Sequence, residues 1–407
     1  MRLNHPTKKI KTTVKVPGSK SESNRLLVLN ALCGNLLQLT NVSEAHDTKV
    51  LTNALQHNSV LTDVDDAGTA MRFLSACFCA LNQPKIISGS DRMKERPIGA
   101  LVNALSEIGF DITCIEKEGF PPVQIKPLKD FSRLADETFI EGNISSQFIT
   151  ALLLIAPFLS NGLKINFTTP LVSRSYIEMT ISLLEQLGIT SILTEHSVEI
   201  KPKTISSGNY HIGADWSAAS YWYSIAFLAD EAEIFIEGLQ DNWVQGDRVI
   251  ADWMNRFGVQ TEFTNEGALI KKVSASYPKL MKMNFTDNPD LAQTFAVMFA
   301  AKNICSTFSG IETLKIKETD RIAALHNEML KVNVHFDFAE RYEFYQLKGT
   351  FAVPESAIET YGDHRMAMSF APLALLGKIE ILNTGVVEKS YPGFWCELEK
   401  AGFTIHD

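Results

Sequence analysis

The chain has 407 residues, of which 45% are apolar and 21% charged; this is enough for two or three domains with buried cores and excludes collagen-like or disordered chains. Against 38 Lys and Arg stand 47 Asp and Glu, and the formal net charge of −9 excludes general electrostatic attraction to nucleic acid or anionic lipid. Any anionic ligand then has to be held by placed residues. Six cysteines without a CxxC pair exclude a disulfide scaffold and read as ordinary buried thiols of a reducing compartment. The longest uninterrupted apolar run, residues 151–159, is far short of the roughly 20 residues that span a bilayer. No apolar signal region follows the N-terminus, and a cytoplasmic location is expected.

In chain order, residues 12–16 read as a strand, Pro17 and Gly18 as a break, and 23–32 as an apolar helix, followed by the strand-like LLQLTNV and a helix over 48–55. The pattern then repeats. A helix over 69–81 leads to KIIS, a helix over 96–108 closed by Gly109, and FDITCI; a helix over 146–159 leads to LKINF, a helix over 176–187 closed by Gly188, and ITSIL. Further cycles run from Ser217 through EIFIEG to a helix over 248–257, from Leu291 through ICSTFS to a helix over 319–330, and from His364 through MAMSFAPLALL to IEILNTG. Six units thus begin near 22, 69, 146, 216, 290 and 363, the last five at intervals of 77, 70, 74 and 73 residues. Identity between units is weak, and a generic α/β protein also alternates its elements. Six units predict two domains of three with a boundary near 211–215, and the Gly-bearing stretch 206–213 suits a hinge or a surface turn equally. Neither GxGxxG nor GxxxxGK[ST] occurs, which argues against a nucleotide-binding sheet.

Polar residues gather where the units start. Lys20, Ser21 and Arg25 offer a point charge, a hydroxyl and a guanidinium fork at a helix start, and Gly68, Thr69 and Arg72 repeat the arrangement; free N–H groups and cations suit a phosphate or carboxylate, although capped, solvated helix starts look the same. Arg92, Lys94 and Arg96 precede a helix that Pro97 can begin. Ser145, Ser146 and Gln147, then Ser173, Arg174 and Tyr176, present neutral and charged donors at two more helix starts. In KIKETDR a helix would set Lys317, Glu318 and Arg321 on neighbouring faces, either as ordinary pairing or as an acid held among cations. Asp363, His364 and Arg365 crowd one apolar helix start, Asp290 reads as an N-cap or first-turn acid, and Lys389 as a solvated link. Tyr221, Trp222 and Tyr223 lack neighbouring arginines and read as core or hinge packing. No metal-ligand spacing is present, and neither a metal nor an organic cofactor is expected.

In order, PGSKSESNR, DAGTAMR, RMKERPIG, GNISSQF, LVSRSYI, KETDR and YGDHRMAM resemble the motifs of the enolpyruvylshikimate-phosphate synthase (3-phosphoshikimate 1-carboxyvinyltransferase) family over essentially the whole chain. The resemblance implies an α/β fold, a two-domain inside-out barrel with three βαβαββ units per domain. It puts residues 19–212 in one domain and 1–18 with 213–407 in the other, with the active site in the interdomain cleft. It implies that Ser21, Arg25, Ser145, Ser146, Gln147, Ser173 and Tyr176 hold shikimate 3-phosphate, that Lys20 reaches both substrates, and that Gln147 also touches phosphoenolpyruvate. Arg92, Arg321, Arg365 and Lys389 match the phosphoenolpyruvate clamps, Lys317 joins the substrate-binding set, and Gly68 matches the glycine against which phosphoenolpyruvate and glyphosate pack. Asp290 and Glu318 match the acids that handle protons, with Lys20 as a charge stabiliser or alternative proton carrier.

Phe73, Asp66 and Ser175 depart from residues common in that family, and Phe73 is expected to shift the turn at Gly68 and Thr69 and alter glyphosate sensitivity. The resemblance also implies a monomer acting on small molecules, with no nucleic acid or membrane partner. A sister carboxyvinyltransferase acting on a UDP-amino sugar usually carries a cysteine in the loop equivalent to 89–96, which is absent here. A repeat protein serving only as a binding module is the non-enzymatic alternative.

Overall fold

The computed structural model describes residues 1–242 and 244–406. One small sheet recurs in it. Strands Leu61–Asp63, Lys85–Ser88, Val123–Lys126 and Asp111–Cys114 lie side by side in that order, the first pair parallel and the others antiparallel. Helices Gly68–Ala80 and Gly99–Ile108 supply the connections, giving βαβαββ. The same spatial order is built by Glu137–Ile140, Leu163–Phe167, Ser197–Ile200 and Ser191–Leu193, and again by Leu280–Asn284, Cys305–Ser309, Phe344–Gly349 and Val334–Ala339.

The remaining units take strands from elsewhere in the chain. Lys9–Lys15 runs parallel to Glu231–Glu237 and fills the first-strand place of the unit led by helix Trp216–Leu228. Arg2–Asn4 inserts between Ile379–Glu380 and Thr404–His406, antiparallel to both. Gly208–His211 pairs in parallel with Leu37–Thr40 beside helix Lys20–Leu32, and these two strands form a sheet of their own. Residues 206–213 are therefore not a plain turn: four of them, Gly208–His211, are ladder hydrogen-bonded to a strand some 170 residues earlier in the chain. The result is two compact units, Lys20–Ile212 and Met1–Ser19 with residues 213 onward.

Each unit is centred on largely buried helices, most of them apolar on nearly every side, the pattern that forces a helix into the interior, while Lys20–Leu32 and His364–Phe370 carry buried charged residues at their starts. Ala292–Ala301 buries all ten of its residues, His364–Phe370 all seven, and Trp216–Leu228 all but Ser217; these three pack on one another. In the other unit Lys20–Leu32, Gly68–Ala80 and Ser146–Ile155 do the same. Tyr221, Trp222 and Tyr223 are core residues, and Phe285, Phe295, Phe299 and Phe308 form a contiguous aromatic cluster beside them. The thiols differ from the uniform expectation: Cys77 and Cys79 are buried on an apolar helix, but Cys396 is exposed on the amphipathic C-terminal one and Cys33, Cys114 and Cys305 are half-buried. Among the described residues no helix is long and apolar enough to cross a membrane.

Candidate active site

In the unit containing residues 213 onward, six charged side chains from three segments converge. Arg321 opens helix Arg321–Lys331 and is 2% exposed. Its guanidinium donates to Asp363 Oδ2 at 2.6 Å, to Glu318 Oε2 at 2.7 Å and to Asp290 Oδ1 at 3.0 Å. Arg365 donates to Asp290 Oδ2 at 2.8 Å and to its backbone carbonyl at 3.2 Å, and Lys317 Nζ lies 3.7 Å from Asp290 Oδ1. Asp290 thus faces three cations. Burial works to lower the Arg321 pKa, but Asp363, Glu318 and Asp290 together hold it above its ordinary value. Burial also lowers that of Lys317, opposed mainly by Asp290. Lys389 ends the turn Thr384–Lys389, which packs against helix His364–Phe370 and leaves the lysine half-buried.

Local sequence explains how these groups come free of helix duty. Asp320 caps its helix by accepting from the Ile322 and Ala323 N–H groups, so Lys317 and Glu318 precede the helix and do not lie on it as i,i+4 periodicity predicts. Glu318 reaches Arg321 across the helix start. Asp290 does not cap: it sits in the single turn Pro289–Leu291 ahead of Ala292–Ala301, with its carboxylate given to side-chain cations. Asp363 does cap, accepting from the Arg365 N–H at 2.8 Å while also holding Arg321.

The Lys20–Ile212 unit gathers a second set. Arg25, 3% exposed, donates to Thr180 Oγ1 at 2.8 Å, Thr150 Oγ1 at 3.4 Å, and the carbonyls of Ser21 and Tyr176 at 2.8 and 3.0 Å. Among the described residues it has no carboxylate partner, and burial draws its pKa down to about 10 against the opposing influence of Tyr176 and Glu22. The Phe73 ring lies 5.5 Å from the Arg25 guanidinium carbon and walls this side chain. Lys20 Nζ holds Asp47 at 3.1 Å. Ser145 caps helix Ser146–Ile155 through the Gln147 N–H, and the Gln147 amide donates to Thr69 at 3.3 Å. Ser146 is buried, and Ser173 starts helix Arg174–Gln186 at a φ of +55°, a left-handed conformation uncommon outside glycine.

The loop at 89–96 separates its two arginines. Arg92 lies in the surface helix Asp91–Lys94, pairs with Glu95 at 2.9 Å and is 38% exposed. Arg96 is 5% exposed, and its Nε has no hydrogen-bond partner. A Cβ on Gly68 would meet the Arg96 guanidinium at 2.6–2.8 Å, so this cation packs directly on the first residue of helix Gly68–Ala80. Arg72, one turn on, braces the same corner through the Gly68 and Pro97 carbonyls. Helix 99–108 begins at Gly99, not Pro97, and Pro97 serves as an acceptor for Arg72. Sequence reasoning singles out Arg72, Arg96 and Asp363 at helix starts without carrying them into the ligand set, and it passes over Asp47; an arginine between a short helix and a proline is the available signal for Arg96. Among the described residues no group of three or more His, Cys, Asp or Glu side chains could hold a metal ion.

A solved EPSP synthase from Acinetobacter baumannii superposes with a TM-score of 0.77 at 19% identity, covering 100% of both chains. The enolpyruvyl transferase NikO from Streptomyces tendae gives 0.72 at 13% identity, covering 100% of this chain and 98% of that one. These likenesses define the fold as that of the enolpyruvyl transferases. The 3-phosphoshikimate 1-carboxyvinyltransferase of Bacteroides fragilis (strain YCH46) is 42% identical over 399 residues, covering 97% of this chain and 96% of that one. The Vibrio campbellii enzyme of the same name is 32% identical over 426 residues, covering 97% of each. The model of the EPSP synthase (3-phosphoshikimate 1-carboxyvinyltransferase) family matches residues 4–66 and 56–398, and the chain belongs to that family.

Proposed function

We propose that this chain transfers the carboxyvinyl group of phosphoenolpyruvate to the 5-hydroxyl of shikimate 3-phosphate, releasing phosphate, in the synthesis of chorismate and the aromatic amino acids. Family membership supports the reaction, and the observation that carries the residue roles is the pair of acids, Asp290 and Glu318, sharing Arg321. In the addition step Asp290 takes the 5-hydroxyl proton while Glu318 delivers a proton to C3, so that the oxygen attacks C2. In the elimination step C3 returns its proton to Glu318, the carbon–oxygen bond to phosphate breaks, and the double bond re-forms. Arg321, Arg365, Lys317 and Lys389 bind the carboxylate and departing phosphate of phosphoenolpyruvate. Anionic groups of the substrate compete with Asp290 for Arg365 and Lys317, and drawing those cations away strengthens Asp290 as a base. Arg25, Ser21, Ser145, Ser146, Gln147, Ser173 and Tyr176 hold shikimate 3-phosphate, and Lys20 stabilises charge on either substrate. Arg96, packed on Gly68, is the better-placed anion clamp of its loop, with Arg92 on the rim.

The test incubates the protein with both substrates and no added metal, following phosphate and the enolpyruvyl ether together. Equal amounts of the two are expected; no turnover refutes the reading, and UDP-N-acetylglucosamine in place of the shikimate ester is expected to give none. Glyphosate is expected to inhibit in competition with phosphoenolpyruvate, and activity untouched at millimolar inhibitor contradicts this. A monomer in the cytoplasm completes the proposal, with light scattering as the check on subunit number.

A further inference from the structure

A second buried acid lies near the Asp290 constellation, and the chemistry above leaves it unused. Asp247 sits in the turn Gly246–Arg248 with 2% of its surface exposed. One of its oxygens accepts the Ser217 hydroxyl at 2.5 Å and the other the Asn288 amide at 3.3 Å. Among the described residues no cation lies within ion-pair distance of it; the adjacent Arg248 is engaged by Asp241 and Asp252 at 2.7 and 2.6 Å. A buried carboxylate held only by neutral donors is costly to the fold.

Its two partners point to one. Asn288 precedes the turn Pro289–Leu291, the turn that carries Asp290, and is 7% exposed. Ser217 lies in the first turn of helix Trp216–Leu228. There Gln245 donates to Ser217 at 3.0 Å and to Asp215 at 3.2 Å while accepting from the Trp216 N–H at 2.9 Å. Asp247 therefore ties a braced central-helix start to the segment holding Asp290. The charged groups around it are Asp290 on that turn, Arg365 on helix His364–Phe370, Asp215 at the start of helix Trp216–Leu228, and Arg248 with Asp241 and Asp252 on its own side.

We infer that Asp247 is a positioning residue for Asp290: through the Asn288 amide it fixes the Asp290 turn, and its negative charge offsets the three cations that would otherwise leave Asp290 a weak base. Like charges favour each other's protonated form, so the influence is mutual. Burial first, and then the charge of Asp290, push the Asp247 pKa up to about 6, against the pull of Arg365 and the hydrogen bonds from Ser217 and Asn288. Below that pH Asp247 takes up a proton, one of its oxygens turns from acceptor to donor, and its support for Asp290 is lost. The inference rests on Asp290 being the proton acceptor.

The experiment measures kcat and both KM values from pH 5 to 9 for the wild-type chain, Asp247→Asn and Ser217→Ala, with thermal melts of each. Wild-type turnover comes first, because its absence sinks the carboxyvinyl-transfer reading and not this inference. With turnover present, wild type is expected to lose kcat below about pH 6. Asp247→Asn, a near-isosteric mimic of the protonated acid, is expected to run roughly ten- to a hundredfold slower at pH 8, with KM values within about twofold and no limb near 6. Ser217→Ala removes a donor to the ionised form and is expected to move the acid limb upward by about one pH unit. An Asp247→Asn protein with wild-type kcat and pH profile overturns the inference. So does one that is slowed with its acid limb in place, which is the mark of a merely structural role, or a limb that does not move in Ser217→Ala.

Discussion

Around Arg321 the guanidinium meets carboxylates: Asp363 at 2.6 Å, Glu318 at 2.7 Å and Asp290 at 3.0 Å. Around Arg25 an equally buried guanidinium meets two threonine hydroxyls and two backbone carbonyls, and Arg96 leaves its Nε without a partner. In the first set every cation has a carboxyl partner and the geometry is held before any ligand arrives, as proton transfer to and from a substrate requires. The second is short of negative charge. An uncompensated buried cation costs several kcal/mol, and a bound anion offsets that cost. On the proposed reading the first region serves chemistry and the second capture, and removing a cation should have opposite consequences in the two.

The sharpest way to break this contrast is Glu318→Gln, which keeps the shape and removes the proton. We expect kcat to fall by roughly 10²- to 10⁴-fold with equilibrium substrate affinity, read by calorimetry, nearly unchanged; retained kcat would show that the balanced region is only structural. Next, Arg321→Leu strands Asp363, which is fully buried. Chemical denaturation is expected to show a loss of about 3–5 kcal/mol. The same operation in the other region, Arg25→Met, should leave the melting temperature level or higher while weakening shikimate 3-phosphate binding by roughly 10- to 100-fold, the loss expected for a charged hydrogen-bonding group. A destabilised Arg25→Met would end the distinction.

Asp247→Asn sharpens the comparison through stability. Because the folded-state pKa is raised from 3.8 to about 6, the stability this acid contributes is fully present below pH 3.8 and lost as pH rises to 6. The uncharged variant should therefore gain on wild type by up to about 3 kcal/mol between pH 4 and 7.5, measured by denaturation at both. The smallest effect is expected for Gly68→Ala: its methyl group would press on the Arg96 guanidinium and raise the KM for phosphoenolpyruvate by roughly tenfold, about 1.4 kcal/mol, while glyphosate inhibition weakens.

Much of the fold is legible in the order of the residues because its signals are local. Helices such as Ala292–Ala301 are apolar on every face, which marks them as interior wherever they dock, and the glycines after the amphipathic helices mark where those stop. The helix start at Ser145 and the core positions of Tyr221, Trp222 and Tyr223 follow from the same kind of reading. Other features escape it. The helix periodicity of KETDR promises pairing along a helix, but Asp320 begins that helix later and leaves Lys317 and Glu318 outside. Gly208–His211 has no strand-like composition and becomes one only because Leu37–Thr40 offers a parallel edge.

By itself, then, the sequence determined the six-unit α/β pattern, the helix starts where polar groups collect, and the ordered motifs that mark the family, because propensity, capping and hydropathy act over a few residues. The family resemblance places residues 1–18 with 213 onward, but tertiary structure alone decided which strands Lys9–Lys15 and Arg2–Asn4 pair with, more than 200 residues away, and in which register. It also decided that Arg96 and not Arg92 is buried, and that Asp290 answers to three cations and not to its own helix. The burial and charge partners of a side chain are properties of everything packed around it, and no local window contains them.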